Sequence, residues 1–270
     1  MSASTYKKAV ATSFSRAAKK YDEVAYLQRQ VGQALLAAVA SQPPFSNALD
    51  IGCGTGQLTR MLTQYAEQVT ALDFAPGMLD FARTHHGDVI AEFVCADAEA
   101  LPFAKDRFDL VFSNFALQWC ESLPLLMENL FRILKPGGWL VFSIPGEETL
   151  HELRQSWFQA DPPHVHVNTF ARQSDIEDAV TRTGFTTAMI ELQRQTLYYP
   201  SVRALTAELK TLGAHNVNAG RSIHLTGKRC VNAFVDAYEQ RRTRQGLPAT
   251  WDIIQVTAQK PLHTFPEKQA

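Results

Sequence analysis

The residues of this 270-residue chain whose types and spacing could do chemistry are three aspartates, Asp50, Asp73 and Asp97, and three alternate glycines, Gly52, Gly54 and Gly56. Each aspartate stands at or near the end of a short apolar run of strand type. The glycines directly follow the first of these runs and lead into a helical pattern (Leu58, Met61, Leu62, Tyr65). Strand, glycine turn and helix together form a place where backbone N–H groups can touch a ligand. A dinucleotide site asks for GxGxxG, with an acidic residue about 20 positions further on. Here the third glycine arrives one residue early, which weakens the case for a pyrophosphate without excluding it. Asp73 is placed to accept hydrogen bonds from both hydroxyls of a ribose, and Asp97 from an adenine amino group. Asp50 lies near where a ligand ammonium would sit. Three carboxylates suit a ligand with hydroxyls, an amine and a positive charge, and they would repel a phosphorylated one. No Ser-His-Asp or Cys-His signature is evident, and His164 and His166 read as polar loop residues rather than metal ligands.

The elements that must position these groups alternate along the chain. Strands are expected at 48–51, Val69–Asp73, Ala91–Asp97, Phe108–Asn114 and Trp139–Ile144, with helices between them; the helix through Leu125–Ile133 stops at Lys135-Pro136-Gly137-Gly138. Such alternation predicts an α/β fold, a doubly wound and mostly parallel sheet with both faces covered. A polar, basic helix within residues 1–30 and a second amphipathic helix at 31–41 precede it. After Pro145 the spacing predicts helices at 147–160, 174–183, 201–213 and 228–243, and strands at Phe185–Tyr199 and Trp251–Thr257. The organisation is therefore an N-terminal helical cap (1–46), a ligand-binding core (47–146), a completion of the sheet carrying a helical lid (147–260, lid 200–245) and a flexible tail (261–270).

Composition narrows the function classes. A hydrophobic fraction of 46%, a charged fraction of 20% and a net charge of −1 describe an ordinary globule and argue against bulk nucleic-acid binding. No apolar run has the length of a membrane span. Cys53, Cys95, Cys120 and Cys230 lack metal-type spacing and predict buried, reduced thiols in a cytoplasmic protein, with no metal. The near-neutral total conceals an asymmetry: residues 48–150 hold fourteen acidic and six basic side chains, residues 1–30 six basic and two acidic, and residues 201–245 eight basic and three acidic. Two basic segments flanking an acidic core could form solvated helix faces or a docking surface for an acidic partner.

Taken in order, Leu49-Asp50-Ile51-Gly52-Cys53-Gly54-Thr55-Gly56, Ala71-Leu72-Asp73, Cys95-Ala96-Asp97-Ala98, Leu101-Pro102-Phe103 and Leu134-Lys135-Pro136-Gly137-Gly138 resemble the motif series of class I methyltransferases. The resemblance implies a Rossmann-like seven-stranded sheet with an antiparallel strand beside the fifth, the helical lid being inserted between the last two strands. It also implies S-adenosylmethionine as cofactor, which the three carboxylates themselves suit. The residues it would assign to that cofactor are Asp50, Gly52, Gly54, Gly56, Asp73, Phe74, Met78, Asp97, Ala98 and Asn114.

The flanks, Phe14 to Asp22, Leu117-Gln118-Trp119-Cys120, Leu209 to His215 and Gly220-Arg221, resemble the malonyl-acyl-carrier-protein O-methyltransferases of biotin synthesis. That resemblance implies methyl esterification of the free carboxylate of a malonyl thioester. Such a carboxylate is ionised at neutral pH, so no general base is expected, only positioning and exclusion of water. Lys210 and Arg221 are the candidates to anchor it, Gln118 and Trp119 to shape its pocket, and Tyr21 to close it. An acidic acyl carrier protein would dock on segments 1–30 and 201–245, with Arg203, Lys228, Arg229, Arg241 and Arg242 contributing. Two other readings stay open: methylation of another small carboxylic acid or a quinone, where His215 could be a base, and a cofactor-binding assembly factor without catalysis.

Overall fold

The computed structural model describes residues 3–42, 44–213 and 227–262. Its strands are β1 (Phe45–Ile51), β2 (Ala66–Asp73), β3 (Glu92–Cys95), β4 (Phe108–Asn114), β5 (Leu134–Pro145), β6 (Thr186–Tyr199) and β7 (Leu247–Gln259). They form one sheet in the order β3-β2-β1-β4-β5-β7-β6. The first five run parallel, and β7 lies antiparallel between β5 and β6. This is the mixed seven-stranded arrangement expected for a Rossmann-like methyltransferase.

The central strands are buried on both faces, so they read as continuous apolar runs. The residues of β1 serve both layers. Leu49 and Ile51 of β1 join a core built with α5 (Leu123–Ile133) and α7 (Gln173–Thr183). Phe45 and Ala48 face α2 (Tyr26–Ala40) and α3 (Gln57–Leu62). A third core lies at the β6–β7 end, where α8 (Val202–Thr211) and α9 (Lys228–Glu239) pack with Leu247, Trp251 and Ile253 and meet Leu27 and Val31 of α2. Local chemistry starts the helices: Ser122 caps α5, Ser201 caps α8, and Pro76 occupies the first turn of α4 (Pro76–His86). Among the described residues no helix is long and apolar enough to cross a membrane.

Several boundaries differ from expectation, α2 starting at Tyr26 and β7 at Leu247 among them, and for two the physical reason is plain. β3 ends at Cys95 because its partner β2 ends at Asp73, opposite it in register; Asp97 therefore lies in the following loop, not on the strand. β5 begins at Leu134, before the Lys-Pro-Gly-Gly run. Phe108 pairs with Leu134 and Leu110 with Trp139, so the run bulges within the strand, turning at Gly137 with φ of +79°.

α1 (Ala3–Val24) lies outside the sheet layers, against α4 and α8. Ser15 accepts a hydrogen bond from the Gly77 N–H at 3.1 Å, and Ser13 donates to the Gly213 carbonyl at 3.1 Å. The helix thus crosses the C-terminal ends of the strands, where the strand order reverses between β1 and β4. In open α/β sheets that reversal opens a crevice.

Candidate active site

The floor of the crevice is the glycine turn after β1. Gly52 and Cys53 both donate to the Leu72 carbonyl, at 2.7 and 3.0 Å, pinning the turn to β2. Gly52 has φ of +72°, and a Cβ there would lie 2.1 Å from the Ala116 Cβ. Gly54 is the opposite case: its φ is +55° and a Cβ would meet nothing within 4 Å. The backbone at Gly54 is therefore laid bare to the crevice, as close ligand approach requires.

Asp73 is buried at the end of β2. Its carboxylate accepts from Gly54 N–H at 2.9 Å and Ala75 N–H at 2.8 Å, joining the turn to the start of α4. Burial pushes its carboxyl up to about 6, against the opposing pull of the Ala75, Gly54 and Phe74 N–H groups. Asp50 sits elsewhere than the sequence suggested. It is 2% exposed, accepts the Thr59 hydroxyl at 2.5 Å, and lies beneath the turn instead of lining the crevice. Burial drives its carboxyl up to about 7, with Thr59 opposing and Asp73 adding to the rise. Gly56 is likewise outside the crevice, starting α3 where a Cβ would lie 3.0 Å from Ala82 and His86 of α4.

A first cavity of about 660 Å³, its open mouth included, occupies the crevice. Of the residues singled out for the cofactor, Gly52, Gly54, Asp73, Phe74, Met78, Asp97, Ala98 and Asn114 line it. Asn114 spends its side chain on scaffolding, donating to the Gln28 carbonyl at 2.9 Å and accepting from the Ser143 hydroxyl at 2.8 Å. Asp97 is engaged as well, in an ion pair with Lys7 of α1. Lys7 also pairs with Glu99, which receives the N–H groups of Glu121 and Ser122. Burial works against the Lys7 charge, but the bonds to Asp97 and Glu99 outweigh it and hold its pKa above the usual lysine value. A second tie, from the Thr55 hydroxyl to Asp22 at 2.8 Å, fastens the other end of α1 to the glycine turn.

A second cavity of about 950 Å³ shares Phe14, Tyr21, Phe115 and Trp119 with the first. Phe14 meets Trp119 edge-on at 5.4 Å, and Phe115 meets Trp251 edge-on at 6.2 Å. Phe115 has φ of +50°, an uncommon conformation for a bulky residue and one that clusters at functional sites. The Tyr21 hydroxyl is held protonated by burial and by the nearby Asp73 and Asp22. Gln118 lines this cavity and donates to the Phe115 carbonyl at 2.7 Å. His166 also lines it, stacked on Trp157 at 3.9 Å; with His164 it clamps Asp161, at 2.7 and 2.9 Å.

Lys210 is exposed at the edge of the second cavity and also lines an adjoining surface groove with Lys8, Arg16 and Lys20, a groove with no acidic residue in its lining. The two basic segments therefore meet in space, through α1 and α8. Arg203, Lys228 and Arg229 are exposed. Arg241 is tied to Ser156 and Gln155, and Arg242 to Glu239 and the Pro200 carbonyl. Arg221 and His215 lie outside the described residues. Among the described residues no group of three metal-binding side chains occurs. The four cysteines are free, but Cys120 and Cys230 are half-buried and Cys95 is exposed, so the expectation of buried thiols holds for Cys53 alone; Cys95 ends the edge strand β3, which has a neighbour on one side only.

Sequence reasoning missed Lys7, Gln28, Asn168 and Trp251. Lys7 alone carried a signal, since Lys7, Val10 and Phe14 share one face of α1 at helical spacing.

Residues 49–142 match the model of the methyltransferase domain family. The chain is 47% identical over 256 residues to the biotin biosynthesis bifunctional protein BioHC of Cellvibrio japonicus, covering 94% of this chain and 50% of that one. It is 43% identical over 236 residues to the malonyl-[acyl-carrier protein] O-methyltransferase of Methylococcus capsulatus, covering 86% of each. It thus spans about half the length of the bifunctional relatives. Among solved structures, phosphoethanolamine N-methyltransferase 2 of Haemonchus contortus, in complex with S-adenosyl-L-methionine, aligns with a TM-score of 0.55 at 20% identity, covering 86% of this chain and 52% of the other. That likeness is one of fold.

Proposed function

Because the chain belongs to the malonyl-[acyl-carrier protein] O-methyltransferase family, we propose that it transfers a methyl group from S-adenosylmethionine to the free carboxylate of a malonyl thioester on an acyl carrier protein. The observation that carries this reading is the pair of cavities meeting at one wall of Phe14, Tyr21, Phe115 and Trp119, the second reaching Lys210 and the basic groove.

The residues of the first cavity fit the cofactor. Gly54 leaves room at the backbone, Asp73 keeps lone pairs beyond its two backbone bonds, and Asp97 stands among apolar Ala96, Ala98 and Leu117. Asp73 would hold the ribose hydroxyls and Asp97 the adenine amine, while Met78 and Phe74 line the apolar wall. When bound, S-adenosylmethionine supplies an electrophilic methyl group on a sulfonium sulfur.

The protein's own part is to position and to dry the meeting point. The four shared aromatic residues line it with apolar surface, which excludes water. Tyr21 stays protonated there and can donate a hydrogen bond without taking a proton. The acceptor carboxylate is ionised at neutral pH, so its attack asks for no general base. Lys210 stands at the rim, too exposed to quench the nucleophile and suited to the anionic end of a carrier arm. Lys8, Arg16 and Lys20 extend that charge toward an acidic partner.

Incubation with malonyl-carrier protein and methyl-labelled S-adenosylmethionine tests the reading. Label should enter the carrier and be released by mild alkali as volatile methanol, as from a methyl ester. Label that alkali releases only in a non-volatile acid, or that never enters the carrier, refutes it.

A further inference from the structure

Four buried side-chain atoms lack a hydrogen-bond partner among the described residues: Gln28 Oε1, Gln118 Oε1, Asn168 Oδ1 and Trp251 Nε1. All four residues line the second cavity. Asn168 is 9% exposed and Trp251 6%. A buried polar atom without a partner is costly, and such atoms gathered at one cavity mark a site that a ligand completes.

Their chemistry selects the ligand. The Gln118 amide is fixed by its bond to the Phe115 carbonyl, so its oxygen asks for a donor. Trp251 can only donate. Turning the Gln28 or Asn168 amide over would exchange an unmatched oxygen for an unmatched NH2. The occupant must therefore offer N–H donors and carbonyl acceptors together. A malonyl group and its thioester offer oxygen acceptors but no N–H at all. A secondary amide offers both.

We infer that the second cavity is a subsite for the secondary amides of the thioester arm, with Gln28, Gln118, Asn168 and Trp251 as its recognition set. The inference rests on the proposed carrier-thioester acceptor and deepens it: specificity is read from the neutral, amide-bearing arm as well as from the protein that bears it. Neutral groups suit this place. An arginine or lysine buried beside the nucleophile would bind its carboxylate tightly and lower its reactivity, whereas carboxamides and an indole leave that charge available.

Two measurements separate this inference from the reading beneath it. Calorimetry with pantetheine, which carries two secondary amides and no carboxylate, needs no methyl transfer. With S-adenosylhomocysteine present the protein should bind it, and Trp251→Phe and Asn168→Ala should each weaken binding about tenfold, as for one lost buried hydrogen bond. Kinetics then compare malonyl-pantetheine with malonyl ethyl thioester, which has no amide. The same variants should lose about tenfold in kcat/KM on the first and less than twofold on the second. No pantetheine binding by the wild type, meaning that water alone completes the cavity, overturns the inference, and so do equal losses on both thioesters. Failure of the wild type to methylate either thioester overturns the functional reading instead. Cofactor affinity of both variants, which should match wild type, shows that they fold.

Discussion

Asp73→Asn is the most informative single change, because the structure fixes what each carboxylate oxygen does. Both oxygens accept backbone N–H groups, from Gly54 and Ala75. An asparagine must turn its NH2 toward one of them, donor against donor, and it removes the charge that would hold the ribose hydroxyls. Hydrogen bonds to a charged acceptor contribute about 1.5–3 kcal/mol, so the dissociation constant for S-adenosylmethionine should rise by roughly 10- to 150-fold. The same carboxyl, pushed up to about 6 by burial, gives the wild type a pH signature. Below that value the free protein must lose a proton to bind, so at pH 5 affinity should be about tenfold weaker than its plateau, ~1.4 kcal/mol. Isothermal titration from pH 5 to 8 reads both effects: a falling acid limb for the wild type and a flatter, weaker profile for the variant. Wild-type affinity that ignores pH, or a variant within threefold of wild type, refutes the assignment of Asp73.

Asp50→Asn should act on stability. Its carboxyl is raised from 3.8 to about 7, so the native state holds a proton that the unfolded chain releases; the stability this provides is complete below about pH 4 and lost as pH rises through 7. Denaturant titrations should therefore show the variant more stable than wild type at pH 8 and equal near pH 4, and a constant difference contradicts the burial argument. Gly52→Ala combines a left-handed φ, about 1–2 kcal/mol, with a Cβ 2.1 Å from Ala116; its unfolding midpoint should fall, and an unchanged midpoint would show that the turn yields easily. Lys7→Met should leave the core intact but loosen α1 over the first cavity, raising the rate of S-adenosylhomocysteine release by several-fold in stopped-flow measurements, whereas an unchanged rate means that the ion pairs with Asp97 and Glu99 do not hold the helix down. Charge reversal at Lys8, Arg16 and Lys20 should raise KM for the carrier-linked substrate and flatten its salt dependence, while sparing a short malonyl thioester; equal loss on both substrates removes the groove from carrier docking.

The parallel sheet and its cofactor end were legible in the sequence because parallel strands and glycine turns are written locally. Ala48–Ile51 is a buried apolar run, and Gly52–Gly56 can only be a turn. The direction of single side chains was less legible. Asp50 and Asp73 look alike in sequence, but Asp50 turns toward α3 and Thr59 beneath the glycine turn, whereas Asp73 ends β2 at the crevice. The acceptor side was the hardest to read. Gln28 comes from α2, Gln118 from the turn after β4, Asn168 from a loop and Trp251 from β7, and no spacing links them. Only the placement of β7 between β5 and β6 brings Trp251 to Phe115. The basic segments were visible as a charge imbalance, but their meeting along α1 and α8 depends on contacts such as Ser13 with Gly213.

The central claim is that the two cavities bring a methyl donor to the carboxylate of a carrier-bound malonyl thioester. Intact-protein mass spectrometry of malonyl-carrier protein after incubation with enzyme and S-adenosylmethionine tests it most directly, with apo-carrier and acetyl-carrier protein alongside. The malonyl species alone should gain the mass of one methyl group. An unchanged malonyl species, or the same gain on acetyl-carrier protein, which has no free carboxylate on its acyl group, would contradict it.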